Sequence, residues 1–313
     1  MINYYKIDVP RGTLWMLIID YCRRNCSTWN NFIINYLGIK HWFYMNKVFI
    51  FTVLLCSISL NAQIVNTPAT AQEKELIGNV QQLVERVYDV YKDNLQQKHL
   101  AVENSYIFDE QGNTTSLEQN YGNTQLRYKY IYLPNNKPIE VTITKEAHNE
   151  IIVTNGRYEY EQVGRLKSFT NYLQGVETPT QIFTFTDYDD RDNPIAGKLT
   201  TPNSEATVQQ EFNKENQRTS LLIVTKSEPA TQIHIQQRYD KLGRVVERSI
   251  SEGLVTNPSV SVLRYTYNKK GIITAVNDQK LEYTFDKQGN WITRLTVVKG
   301  KIVGYAERNI KYY

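Results

Sequence analysis

The sequence predicts a mainly β protein, an antiparallel meander of repeated hairpins forming a curved sheet or partial shell, with one N-terminal amphipathic helix. Three observations predict it. From Tyr106 onward, short runs alternate aromatic or β-branched residues with polar ones, the pattern of strands and hairpins. Six-residue turn motifs recur along that stretch at a steady spacing, which marks a repeat architecture. Residues 71–98 instead carry apolar side chains three and four positions apart, the spacing of one helix face.

Ahead of these elements, the first 62 residues differ from the rest of the 313-residue chain. All three cysteines (Cys22, Cys26, Cys56) and all three methionines (Met1, Met16, Met45) lie there. So do six of the 36 Lys and Arg and two of the 32 acids, which leaves 30 against 30 from Gln63 onward. The formal charge of +4 belongs to the leader. A net-neutral body offers no electrostatic footprint for nucleic acid or anionic lipid.

Met45-Asn46-Lys47, the apolar run Val48 to Leu60 and the exit Asn61-Ala62-Gln63 have the three regions of a secretory signal peptide. Cleavage is expected after Ala62. The apolar run is about 13 residues, shorter than the roughly 18 to 20 of a spanning helix, and Thr52, Ser57 and Ser59 interrupt it. A membrane anchor and lipidation at Cys56 are the competing readings. Residues 1–44 have no clear periodicity and read as a spurious upstream extension, with Met45 as the start. The mature chain is then cysteine-free, and no later segment is apolar enough to span a membrane as a helix.

Residues 63–70 form a short polar linker with Pro68. In 71–98 the stripe is Leu76, Ile77, Val80, Leu83, Val84, Val87, Val90 and Tyr91. Its polar side mixes both charge signs, so the helix is expected to pack on the domain and cover a strand edge.

The β domain is assigned to 103–313. Phe108-Asp109-Glu110-Gln111-Gly112-Asn113 recurs with anchors at Tyr160, Tyr239, Tyr267 and Phe285, and in weaker copies from Tyr132, Tyr188 and Phe212. Seven intervals cover 177 residues, a mean of about 25. The fifth position is Gly112, Gly164, Gly243, Gly271, Gly289, Asn136, Asn216 or Asp192, the residue types that best tolerate positive φ. The second is Asp or Asn in six of eight copies, where the side chain caps the turn's own amides. Each unit therefore reads as one hairpin.

Tyr239-Asp240-x-x-Gly243-Arg244-Val245 resembles the YD repeat, the unit of the RHS family of secreted and surface proteins, and the resemblance covers 106–313. In that family long arrays of such hairpins wrap into a hollow shell around a toxin cargo. With eight copies and no cargo domain after them, the resemblance implies a small exported member of unassigned role.

From Gln63 onward there is no G-x-S-x-G, phosphate loop, H-E-x-x-H or thiol, so no catalytic residue, metal ligand or cofactor is assigned. His99, His148 and His234 share no ligand spacing. Asp187, Asp189, Asp190 and Asp192 are dense enough for a hard cation, but Lys198 stands where a closing Glu is needed, and the cluster reads as a solvated turn.

Aromatics at spacing two are the contact candidates. Tyr265 with Tyr267, Tyr283 with Phe285, and the body's single tryptophan, Trp291, offer ring faces to a ligand or partner; equally they form packing ladders within the sheet. The reading is a non-enzymatic exported protein, periplasmic, surface-bound or secreted, acting as a scaffold or protein-interaction surface at the cell envelope. A glycan-binding module using the aromatic ladders is the alternative.

Overall fold

The computed structural model divides the chain into two units, Met1–Gln63 and Ile64–Tyr313, and describes residues 68–313. The upstream extension, the signal peptide, Cys56 and the start of the linker lie outside the described residues.

Eighteen strands follow: β1 Val80–Tyr91, β2 Asn94–Phe108, β3 Thr114–Tyr121, β4 Thr124–Tyr132, β5 Pro138–Ala147, β6 Glu150–Tyr160, β7 Leu166–Leu173, β8 Pro179–Tyr188 and β9 Pro194–Thr201 make the first half. The second half is β10 Ser204–Phe212, β11 Arg218–Thr225, β12 Thr231–Tyr239, β13 Val245–Leu254, β14 Asn257–Tyr267, β15 Ile273–Val276, β16 Gln279–Phe285, β17 Trp291–Val298 and β18 Lys301–Tyr312. Every strand pairs antiparallel with the next. β18 returns to β1 through a register running from Val80↔Tyr312 to Asp89↔Gly304. The ring is complete, so the meander is a closed up-and-down barrel. This corrects the expected open, curved sheet. Twist accumulates over so many strands, and closure removes the two unpaired edges an open sheet would leave.

No helix occurs among the described residues. Where a helix is expected over 71–98, 71–75 form a turn, 76–79 are irregular, and 80–98 hold β1, a two-residue turn and the start of β2. A register shift between Val80 and Gln82 produced the misleading spacing. It sets Val80 and Leu83, three apart, on the same buried face, after which Leu83, Glu85 and Val87 continue at strand period two. Four valines in that stretch also favour the pleated conformation.

Inward and outward faces alternate with opposite chemistry. In β4, Tyr128 and Tyr130 turn inward while Arg127 and Lys129 are exposed. Val141, Phe169, Phe183, Val208, Leu221, Leu263 and Val276 are almost wholly buried on the inner wall. Outside, cross-strand pairs such as Arg264–Glu247 at 2.9 Å, Lys198–Glu205 at 2.9 Å and Arg157–Glu140 at 3.8 Å run around the barrel. Exposed pairs add little stability, but they identify the wet side.

The two rims differ. Eight five-residue loops, one per repeat, connect the even strands to the odd ones at the rim shared with the start of β1, while seven of the nine opposite links have two residues. All eight loops share one geometry: the second residue's N–H donates to the sixth carbonyl and the fifth N–H to the second carbonyl. The fifth residue has positive φ in every copy, from 63° at Asn136 and Asp192 to 94° at Gly289. Six Asp or Asn side chains accept from the fourth and sixth N–H of their own loops, as Asp240 does from Leu242 and Arg244 at 2.9 and 3.0 Å.

The anchor aromatic ties neighbouring repeats together. The hydroxyls of Tyr132, Tyr160, Tyr188, Tyr239 and Tyr267 donate to the carbonyls of Thr114, Pro138, Leu166, Arg218 and Val245, each six residues after the previous anchor. Where the anchor is Phe212, Gln210 Nε2 reaches Pro194 O at 2.9 Å instead. Sixth-position cations cover the next anchor ring: Arg165 over Tyr188 at 4.4 Å and Arg244 over Tyr267 at 4.6 Å.

Removing the hydroxyl alone should register as one lost partly buried hydrogen bond. Tyr188→Phe is expected to lower stability by about 1 kcal/mol with the denaturant slope unchanged, read by urea unfolding. The loops supply a second comparison. A Cβ on Gly271 (φ 84°) meets nothing within 4 Å, whereas one on Gly243 (φ 76°) meets Gln217 Nε2 at 2.7 Å. Gly271→Ala should therefore cost about 1 to 2 kcal/mol from positive φ alone. Gly243→Ala should cost more, because it also displaces the Gln217 Nε2 to Gly243 O bond of 2.8 Å. Equal losses in parallel melts would contradict this.

Candidate functional site

The segment before β1 lies across part of the loop-bearing rim. Thr70 and Glu73 exchange backbone-to-side-chain hydrogen bonds of 2.8 and 3.2 Å, a reciprocal cap. Ala71 N–H donates to Gly112 O at 2.9 Å, and Thr114 Oγ1 donates to Ala69 O. The other end is held by Asn290, which accepts from Ile77 N–H at 2.7 Å and donates to Ile77 O at 2.8 Å. The segment is thus fastened to the β2–β3 loop on one side and the β16–β17 loop on the other. Ala71 and Leu76 pack on the core of Val80, Leu83, Tyr106 and Phe108.

This plug delivers Lys74 to the interior, where the residue is buried with its ammonium 4.3 Å from the Tyr106 ring centre. Beneath it runs an ionic row on three consecutive strands. Glu85 on β1 accepts from Arg308 Nε on β18 at 2.8 Å, with side chains 9% and 7% exposed. Arg308 stands opposite Glu85 in register, and Arg294 on β17 stands opposite Ala306, two residues from Arg308 on the same face. Both guanidinium groups lie over Trp291, at 3.7 and 5.2 Å from its ring centre. Burial by itself would raise the Glu85 pKa, but attraction to Arg308, Lys74 and Arg294 overrides it and holds the carboxyl at about 2. Arg294 Nε and Arg308 Nη1 are buried without a hydrogen-bond partner.

A second internal arginine pair stands on the β11–β13 wall. Arg218 Nη1 donates to Gln210 Oε1 at 3.1 Å. The Gln237 amide, with its oxygen turned toward Arg248, accepts from Nη2 at 2.8 Å and donates to Arg218 O at 3.2 Å. Burial lowers the Arg218 pKa, and neighbouring Arg248 adds to the shift. Toward the opposite rim, inward positions are wetter: Ile152 and Ile233 are 43% and 41% exposed.

The candidate contact residues all belong to the inward series. Trp291 is buried with Tyr283 edge-on at 6.0 Å, and Phe285 is 6.0 Å from Tyr283 at the rim, where it is 42% exposed. Tyr265 and Tyr267 are half-buried on β14, with β15 between them and that cluster. Gly112, Gly164, Gly243, Gly271 and Gly289 sit in the rim loops. The acidic cluster is engaged locally: Asp189 accepts from its own loop amides and Asn193, Asp190 pairs with Arg191, and Asp192 pairs with Arg165. His99 and His234 stand on β2 and β12, and His148 in the β5–β6 turn.

Sequence reasoning missed Lys74, Glu85, Arg294 and Arg308. The available signal was a carboxylate at strand parity with Leu83 and Val87, an ionised group where the pattern demands an apolar one.

No family model and no curated protein matches the chain. Among solved structures, it is similar to a porin-like protein from Bacteroides uniformis (11% identity, TM-score 0.39, covering 74% of this chain and 98% of that one). A porin-like protein from Bacteroides vulgatus is similar at 9% identity and TM-score 0.30, with 74% and 98% covered. The TcdB2-TccC3 complex is similar at 10% identity and TM-score 0.26, over 70% of this chain and 15% of that one. At these scores the likeness carries no weight, and the barrel rests on the strand pairing itself.

The Glu85 carboxyl generates a pH prediction. Its pKa is about 2 in the fold against an ordinary 4.5, so its contribution is fully present above about pH 4.5 and is lost as pH falls through 2. The shift corresponds to about 3 kcal/mol. Glu85→Gln should be less stable at pH 7, since it strands Arg308, and its stability should depend less on pH between 4.5 and 2. Chemical denaturation at stepped pH checks both.

Proposed function

We propose that this chain is an exported, non-enzymatic protein of the cell envelope whose barrel is a rigid scaffold for a protein partner, met by its outer wall in an aqueous compartment. The observation that carries the reading is the polarity of the barrel. A lipid-facing barrel needs an apolar outer band roughly 25 Å tall. Here the outward positions away from the strand ends include Arg127, Lys129, Arg157, Arg264 and Glu282, while the fully buried apolar side chains turn inward. The leader at Met45 to Ala62 supports export. A closed ring also leaves no strand edge to add to, so a partner would bind side chains of the wall and rim rather than extend the sheet.

The test is fractionation of the source cells, followed by N-terminal sequencing and partner capture. The protein should appear in an envelope or secreted fraction without detergent and begin at Gln63. Release only by detergent would overturn the aqueous placement. The captured partner should be a protein whose binding weakens when Arg157 and Arg264 are changed to Glu. Capture of polysaccharide instead, lost on Trp291→Ala, would favour the glycan-binding alternative.

A further inference from the structure

The ionic row beneath the plug is unbalanced. Lys74, Arg294 and Arg308 bring three cations to one buried region that holds a single ionised carboxylate, Glu85. Glu75, the other nearby carboxylate of the plug, is an exposed residue. A buried cation is costly without a counter-charge, and water can satisfy an N–H but cannot neutralise an excess of positive charge. The unmet hydrogen-bonding capacity lies at the same place: Arg294 Nε and Arg308 Nη1 are buried and unpartnered. These two side chains are diagonal neighbours on one face of adjacent strands, a spacing of roughly 7 to 8 Å between backbones that long side chains readily bridge. On β18 the residue opposite Arg294 is Ala306 and the next inward residue is Gly304, while on β16 Tyr283 stands opposite Arg294 and is hydrogen-bonded to it. The β18 side of Arg294 therefore carries small side chains, and the Tyr283 ring bounds it on the β16 side.

We propose that this place is a binding site for a small oxyanion, a carboxylate or phosphate group, taken by Arg294 and Arg308 with Lys74 supplying further positive charge from the plug. Guanidinium groups match the paired oxygens of either anion. Trp291 fixes the orientation, since both arginines lie over its ring. Glu85 holds Arg308 through Nε and leaves Nη1 for the ligand.

The experiment is calorimetric titration of the purified full chain at low ionic strength with inorganic phosphate and, separately, with acetate, using chloride at matched ionic strength as control. Saturable one-site binding of either oxyanion, absent with chloride, is expected, and the tighter of the two identifies the head group. Arg294→Gln strands no carboxylate and should weaken binding at least tenfold in a chain that still melts cooperatively. Because Arg308→Gln leaves Glu85 buried and unpaired and risks unfolding, Glu85→Gln is the second variant. It removes the competing anion, so it should bind severalfold more tightly, and phosphate or acetate should raise its melting temperature more than that of the parent chain. A merely structural role would produce neither change. Absence of saturable binding by both anions, or unchanged affinity in Arg294→Gln, would overturn the proposal.

Discussion

The barrel depends on one pairing, that of β1 with β18. Every other strand contact joins consecutive strands through a short loop, so those hairpins form at small entropic cost. The seam instead brings Val80 to Tyr312, more than 200 residues away, and without it the molecule would be a long meander with two exposed edges. Its register is specified from inside. A slip by one residue would turn Glu85 outward and leave the Arg308 guanidinium buried without its counter-ion, a loss of several kcal/mol. The rim adds its own clasps. Tyr313 N–H donates to Asn79 O at 3.0 Å, and Tyr313 Oη donates to Phe108 O at 2.7 Å. The same ion pair therefore sets the closure and the chemistry of the interior.

Around the rest of the ring the repeat acts through three linked contacts. In six copies an Asp or Asn second residue organises its own loop, in three the sixth residue covers the next anchor ring, and in five the anchor hydroxyl returns to the preceding repeat. Arg165 shows how closely these are joined: it pairs with Glu161 of its own loop at 2.6 Å, with Asp192 of the next loop at 3.2 Å, and lies over Tyr188. In the Phe212 copy, Gln210 takes the place of the tyrosine hydroxyl and reaches Pro194 O. A repeat whose copies look divergent thus keeps one pattern of hydrogen bonding.

The hairpins were legible because each loop carries its own instructions. Asp240 and Gly243 specify the turn without reference to any distant residue, and the alternation on either side assigns the strands. Closure was not legible, since no local pattern encodes the meeting of the first strand with the last. The supposed helix failed for a related reason. A bulge at Val80–Gln82 mimics helical spacing, and the inward turn of Glu85 makes sense only once Arg308 is beside it. The contact candidates were recognisable as paired rings, yet period two alone does not reveal which face of a closed wall is the inside.

The two internal arginine groups then make an instructive contrast. Arg218 and Arg248 are arranged around neutral amides, Gln210 and Gln237, which take up their N–H groups within a network confined to four neighbouring strands. That arrangement is internally satisfied in hydrogen bonding and has the character of a structural brace. Arg294 and Arg308 share one carboxylate with Lys74, sit against a tryptophan face and retain buried donors. A fold that needed only a seam ion pair would be served by Glu85 and Arg308. The additional cations are costly to bury, and the proposed oxyanion would stand beside Glu85 as their counter-charge beneath the plug.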